Sequence, residues 1–212
     1  MRPLALLLQL SDSALPTGGF SHSFGFEQYI SRGEIRDAAT FSAWLRVYTA
    51  NQLTHTDALA MRLFYEGLPE ADLADRVVAS TLPAQLRAAD VAMAKRLRTI
   101  GADALGVPRA ETELAHPAIE FARIAQHFDV PCEDAIVGHL SATVNTLTQN
   151  AVRGIPIGQS DGQRVVTAAH AWVENACRRV WTLEEGDLGM VAPGLEVAQM
   201  QHERLRARMF MS

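Results

Sequence analysis

Proline and glycine cut this chain into pieces of helix length, and the pieces themselves are made of helix formers. Alanine (33) and leucine (23) supply 56 of 212 residues, and both lie at the favourable end of intrinsic helix propensity. Apolar side chains recur at three- and four-residue spacing within the pieces. Phe41, Trp44, Leu45 and Tyr48 form one set, and Leu86, Met93, Leu97 and Ile100 another. Ile136, Leu140, Val144, Leu147 and Ala151 follow, then Val165, Ala169, Val173, Ala176 and Val180. That period puts each set on one face of a helix, and no run alternates as a strand would. Gly67 and Pro69 end one segment, Pro83 splits residues 70–105 into two helices, and Gly106-Val107-Pro108 closes the second. Pro117 opens the next, Val130-Pro131 ends it, and Gly154 with Pro156 stops the long helix after that, as expected of residues that cannot continue one. Asp37 is placed to cap the helix after it, and Ser160-x-x-Gln163 has the form of a capping box. The expectation is an all-α fold, a single globular domain of about eight to ten helices over residues 1–194. A polar, arginine-rich tail over residues 195–212 follows it.

Composition removes several classes of function. A chain this long buries roughly 70% of the surface its unfolded form exposes, so it needs no disulfide or metal staple. No stretch approaches the roughly 18 apolar residues of a membrane-spanning helix. Met1 to Leu10 carries one positive charge and a short apolar run, but it meets Gln9 and Ser11-Asp12-Ser13 rather than a small-x-small cleavage site. It reads as a buried first helix, not a signal peptide. A net charge of −5 with no basic block argues against a dedicated nucleic-acid binder, including a helical DNA-binding regulator. Lys95 is the sole lysine among 19 basic residues. It sits mid-helix with no glycine-rich loop before it, which excludes P-loop, Schiff-base and Ser-x-x-Lys chemistry. Cys132 and Cys177 have no metal-ligand spacing and suit a reducing compartment.

The candidate chemistry is thin. Ser21-His22 after Gly18-Gly19 invites a helical serine hydrolase, yet the second glycine of a nucleophile elbow is missing and no strand precedes it. Adjacent serine and histidine do not make a triad. The paired glycines lack the lysine of a phosphate loop. Seven histidines show neither HxH nor HExxH spacing, so they read as surface or hydrogen-bonded side chains. The run Arg153-Gly154-Ile155-Pro156-Ile157-Gly158-Gln159-Ser160-Asp161-Gly162-Gln163 forms a tight helix–helix corner, in which Arg153 and Asp161 could pair. In the tail, Arg204, Arg206 and Arg208 stand among Met209, Phe210 and Met211. Arginine, methionine and aromatic residues together favour protein interfaces. No catalytic, cofactor-binding or metal-binding residue is assigned.

Three of these segments carry a resemblance. Leu8 to Ser23, with Ser11, Pro16, Gly18, Gly19, Phe20 and Ser21, and then Gly25 and Glu27, closely resembles the N-terminal motif of the urease accessory protein UreF family. The corner with Arg153, Pro156, Gly158, Gln159, Asp161 and Gln163 resembles that family's second signature. Ala192 to Met200, with His202, Glu203, Arg204, Leu205, Arg208, Met209 and Phe210, resembles its third. The resemblance implies an all-α, cytoplasmic, dimerising protein that hydrolyses nothing itself. It implies binding to a UreD/UreH-type accessory protein, then to a UreG-type GTPase whose hydrolysis it modulates, and delivery of nickel into apo-urease. It also implies a C-terminal tail that orders against the UreD-type partner. His202, Glu203, Arg204, Leu205, Arg206, Arg208, Met209 and Phe210 are thus expected to touch a partner.

Overall fold

A computed structural model of the chain describes residues 1–189 and 192–212. Met190 and Val191, part of the stretch 186–194 that reads as a turn-rich linker, lie outside the described residues. The α-helices are α1 (Pro3–Leu10), α2 (Phe26–Ser31), α3 (Ala38–Tyr48), α4 (Leu59–Tyr65) and α5 (Glu70–Ser80). They continue with α6 (Ala84–Leu105), α7 (Pro117–His127), α8 (Cys132–Gly154), α9 (Gln159–Val180) and α10 (Pro193–His202). No strand occurs among the described residues, and no helix among them is long and apolar enough to cross a membrane.

Helices α8 and α9 hold 23 and 22 residues, about 33 Å each at 1.5 Å per residue. The short link 155–158 folds α9 back along α8. The periodic faces meet as expected: Ile136, Leu140, Val144 and Leu147 of α8 and Val165, Ala169, Val173 and Val180 of α9 are all buried. The breaks fall where the sequence places them. α5 ends at Ser80 and α6 begins after Pro83; Pro117 opens α7. At the start of α3 the Thr40 amide donates to Asp37 Oδ1 at 2.8 Å, and the Asp37 amide donates to Thr40 Oγ1 at 3.1 Å, satisfying two of the helix's otherwise orphaned donors.

Four features differ from the sequence reading. First, the run that continues from α3 into α4 is not regular α-helix throughout: Thr49–Ala58 between them is π-helical. The Thr49 and Thr54 hydroxyls donate to the carbonyls of Leu45 (2.8 Å) and Thr49 (2.7 Å). Such side-chain back-bonding loosens a regular helix, and the wider turn here packs buried against α9. Second, α9 starts at Gln159, and Asp161 rather than Ser160 faces back, with Oδ2 3.4 Å from the Gly158 amide. Asp161 pairs with Arg164, and Arg153 bonds the Phe20 carbonyl and Asn150 instead. Third, α1 is half-buried. Leu6 and Leu10 are buried, but Leu4 and Leu8 are 68% and 66% exposed, because only one face lies on α7 and α8. Fourth, residues 195–212 pack onto residues 1–194. α10 lies against α2 and α6, and Phe210 joins the main core.

A buried ionic cluster ties α5, α6 and α7 together. Glu120 is wholly inaccessible. It accepts from Arg98 Nε at 2.5 Å and from Arg123 Nη2 at 2.7 Å, while Glu70 stands 3.4 Å from Arg98 Nη2. Burial, then repulsion from Glu120, pushes the Glu70 carboxyl above its usual value despite both arginines.

Candidate functional site

The three segments singled out in the sequence meet in space at one end of the bundle. Gly25 starts the junction. Its φ of +96° lies in the left-handed region, and a Cβ there would come 2.6 Å from Gln199 Cγ of α10, so glycine answers both demands. Gln199 crosses this close approach and donates through Nε2 to the Phe24 carbonyl and to Gln52 Oε1, both at 3.0 Å. Gly18, at φ +91°, is covered by the Arg96 guanidinium, which also donates to the Thr17 carbonyl at 3.2 Å.

Glu27, in the first turn of α2, is 5% exposed. Its Oε2 lies 2.7 Å from His202 Nε2. Its Oε1 accepts the Met209 amide at 2.6 Å, and its Oε2 accepts the Phe210 amide at 3.2 Å. The other ring nitrogen of His202 faces Gln85 Oε1 of α6 at 3.2 Å. Further along, the Met211 amide donates to the Ser21 carbonyl at 2.7 Å, and the Ser212 carbonyl accepts from the amide and hydroxyl of Ser23 at 2.5 and 2.8 Å.

Phe210 fills the gap beneath. Its ring meets Phe26 edge-on at 5.3 Å, and Phe26 in turn meets Phe41 and Trp44. Arg153 stands between the rings of Phe20 and Phe210, 5.7 Å from each centroid, and donates to the Phe20 carbonyl and to Asn150 Oδ1. Asn150, fully buried, donates to the carbonyls of Gly19 and His22. One residue from the second segment therefore clamps the first segment against the third. The rest of the second segment is an exposed corner: Pro156, Gly158, Gln159 and Gln163 face outward and Asp161 is half-buried.

The eight tail residues divide by exposure. His202 and Phe210 point into the bundle, and Leu205 is half-buried. Glu203, Arg204, Arg206, Arg208 and Met209 are exposed, and Met211 joins them at 68%. Met209 Cε also lies over Gly154, so the outward face of the tail continues onto the corner.

The Ser21-His22 pair is not arranged for nucleophilic catalysis. His22 Nδ1 is 2.8 Å from Ser212 Oγ, and its ring packs edge-on against Phe24. Burial holds its pKa below the usual value, with Arg96 and His202 adding to that. The other buried histidines are also engaged. His55 Nδ1 bonds the Asn51 carbonyl, His116 Nδ1 accepts the Ala118 amide, and His139 Nε2 pairs with Asp57 Oδ2 at 2.7 Å. His127 and His170 are exposed.

Behind the first segment lies a cavity of about 110 Å³. The loop from Ser11 to Phe20 roofs it, and the π-helical stretch, α6 and α7 wall it, with Tyr48, Asp57, Asp90, His116 and His139 among the lining residues. Burial, then the Asp57 charge, pushes the Asp90 carboxyl well above the usual carboxylate range. Burial depresses His116, which stands 3.9 Å from Asp90. The Ser11 hydroxyl pins the roof to the Gly138 carbonyl at 3.2 Å. Sequence reasoning found the loop and missed the cavity, because nothing local pairs it with residues 40 to 130 positions away.

Comparison with known proteins points the same way. A family model described as UreF matches residues 35–170. The urease accessory protein UreF of Paenarthrobacter aurescens (strain TC1) is 47% identical over 216 residues, covering 97% of this chain and 96% of that one. The urease accessory protein UreF of Kocuria rhizophila is 48% identical, covering 97% of this chain and 95% of that one. The protein of the same name from Geobacillus kaustophilus (strain HTA426) is 43% identical, over 99% and 98%.

Proposed function

This chain belongs to the UreF family of urease accessory proteins, and from that we propose that it works as a non-catalytic scaffold in urease maturation. It binds a UreD/UreH-type accessory protein, recruits a UreG-type GTPase and modulates its GTP hydrolysis. The resulting assembly loads nickel, as cargo, into apo-urease in the cytoplasm. The scaffold itself acts as a homodimer.

One observation carries the reading furthest: the tail is docked by its inner side chains and presents a different set outward. Phe210 and His202 face in; Arg204, Arg206, Arg208, Met209 and Met211 face out. An exposed Arg/Met surface on an ordered backbone suits a protein partner with acidic and apolar groups, since arginine donates bidentately and methionine adapts its shape. Because the backbone is already fixed, less ordering entropy opposes association than for a free tail. The chemistry of the buried groups supports a scaffold as well. His22 is bonded to Ser212 rather than to Ser21, which does not favour the serine-hydrolase reading.

The test is co-purification of the tagged chain with UreD- and UreG-type proteins from the same genome, with and without residues 203–212. The full chain should retain both partners, and the shortened chain should lose the UreD-type protein and fail to activate urease in cells. Normal activation by the shortened chain would overturn the tail as the docking element.

A further inference from the structure

Glu27 differs in kind from the buried carboxylate Glu120. Glu120 is neutralised by two arginines within the helical core. Glu27 faces no arginine or lysine partner among the described residues. Its hydrogen bonds come from His202, Met209 and Phe210, all in the C-terminal segment. A buried carboxylate without compensating donors is costly, so desolvation of Glu27 is offset only when that segment is seated. The geometry is also directional. The two carboxylate oxygens take the amides of two successive residues, one each, which fixes the backbone dihedrals between them. With that backbone fixed, Phe210 turns inward onto Phe26 while Met209 and Met211, on either side, turn outward at 59% and 68% exposure.

We propose that Glu27 is a positioning residue for partner binding: it sets which side chains the tail presents, without being part of the presented surface. The proposal rests on the tail being the docking element. It assigns the first sequence segment a role at the interface that its burial would otherwise conceal. The Gly25 turn places α2 so that the Glu27 carboxylate reaches the tail, and Arg153 closes the far side of the same pocket. The determinant of the form the tail takes against the bundle thus lies 182 positions before Met209 in the chain.

A double-variant cycle tests this. Glu27→Gln keeps the size of the side chain but sets an amide NH2 against one of the donors it now accepts. It is compared with removal of residues 203–212 and with both changes together. The readouts are capture of the UreD-type protein, hydrogen exchange of the 203–212 amides, and helical circular dichroism. Glu27→Gln should weaken capture by about tenfold or more, the scale of losing a charged hydrogen bond, and should strip protection from residues 203–212 while the helical signal stays. Adding Glu27→Gln to the shortened chain should lower capture no further, because Glu27 acts on the partner only through the tail, while its remaining contact, with His202, lies in the retained helix. Wild-type capture by Glu27→Gln, beside lost capture by the shortened chain, would overturn the positioning role alone. Full capture by the shortened chain would instead overturn the tail reading, and this inference with it.

Discussion

Replacing Phe210 by alanine should free the end of the chain from the bundle before it unfolds the bundle. The ring is 6% exposed, meets Phe26 edge-on at 5.3 Å and lies under the Arg153 guanidinium at 5.7 Å. Truncating a buried phenylalanine costs about 3–5 kcal/mol. That figure includes about 0.5–1.5 kcal/mol for the aromatic pair and about 0.5–1 kcal/mol for the cation–π contact. In a central helix the whole cost would appear as lost global stability. Here the segment from Glu203 onward is seated chiefly by Phe210, by the Glu27 hydrogen bonds and by the Ser23–Ser212 contacts. It can therefore leave while α2 to α9 stay folded, and local release of this kind is how low-stability regions behave. Two measurements follow. Exchange of the amides of residues 209–211 should speed up by about two to three and a half powers of ten, at 1.4 kcal/mol per tenfold, unless complete release of the segment limits it first. Urea denaturation should show a loss no larger than that caused by removing residues 203–212 outright. A Phe210→Ala protein that is globally less stable than the shortened chain, or whose terminal amides keep their protection, would refute this reasoning.

Two further substitutions probe the interior. Glu120→Gln leaves Arg98 and Arg123 buried beside a neutral group, so thermal denaturation should show a loss of about 3–5 kcal/mol; a loss below about 1 kcal/mol would mean the cluster is solvated. Asp90→Asn should change how stability depends on pH. The folded protein holds the Asp90 proton more tightly than the unfolded chain does, so the contribution is fully present below the ordinary carboxylate pKa of about 3.9 and is lost as pH rises toward the folded value. The variant should gain stability over wild type at about pH 8 and lose that advantage toward about pH 4. His116, depressed by burial, works oppositely, favouring the fold above about pH 6.5; comparing variant with wild type at each pH cancels it. An unchanged difference across that range in chemical denaturation would count against a proton held on Asp90.

Much of the helical framework is legible in the residues, because proline, glycine and apolar spacing act locally. Asp37 caps α3, Pro83 separates α5 from α6, and Pro117 opens α7, each through a dihedral or a donor fixed by one or two residues. The π-helical stretch is not legible, since the apolar period of α3 runs into it and the change lies in hydrogen-bond register. Much of α10 is hidden for another reason. Its buried face mixes Leu195 and Ala198 with Glu196, Gln199 and His202, so it reads as polar tail. These side chains are buried because their partners, Phe24, Gln52 and Glu27, come from elements formed well over a hundred residues earlier. The candidate site follows the same division. The segments around Gly18, Arg153 and Phe210 can each be picked out, and the resemblance orders them, but their meeting around Glu27 and Arg153 depends on the bundle as a whole. Arg153 shows this directly: sequence offers Asp161 as its partner, and the structure gives it two aromatic rings and two oxygen acceptors.

The most direct test of the scaffold account replaces only outward-facing side chains of the tail. Arg204, Arg206 and Arg208 are exposed, so changing all three to alanine should leave the helical signal of the isolated protein unchanged and its unfolding free energy within about 0.5 kcal/mol of wild type per substitution. The measurement is urease activity in cells whose only copy of this protein carries the triple substitution. The account predicts that urease stays unactivated and that the UreD-type protein no longer co-purifies. Full urease activity with the three arginines removed would contradict it.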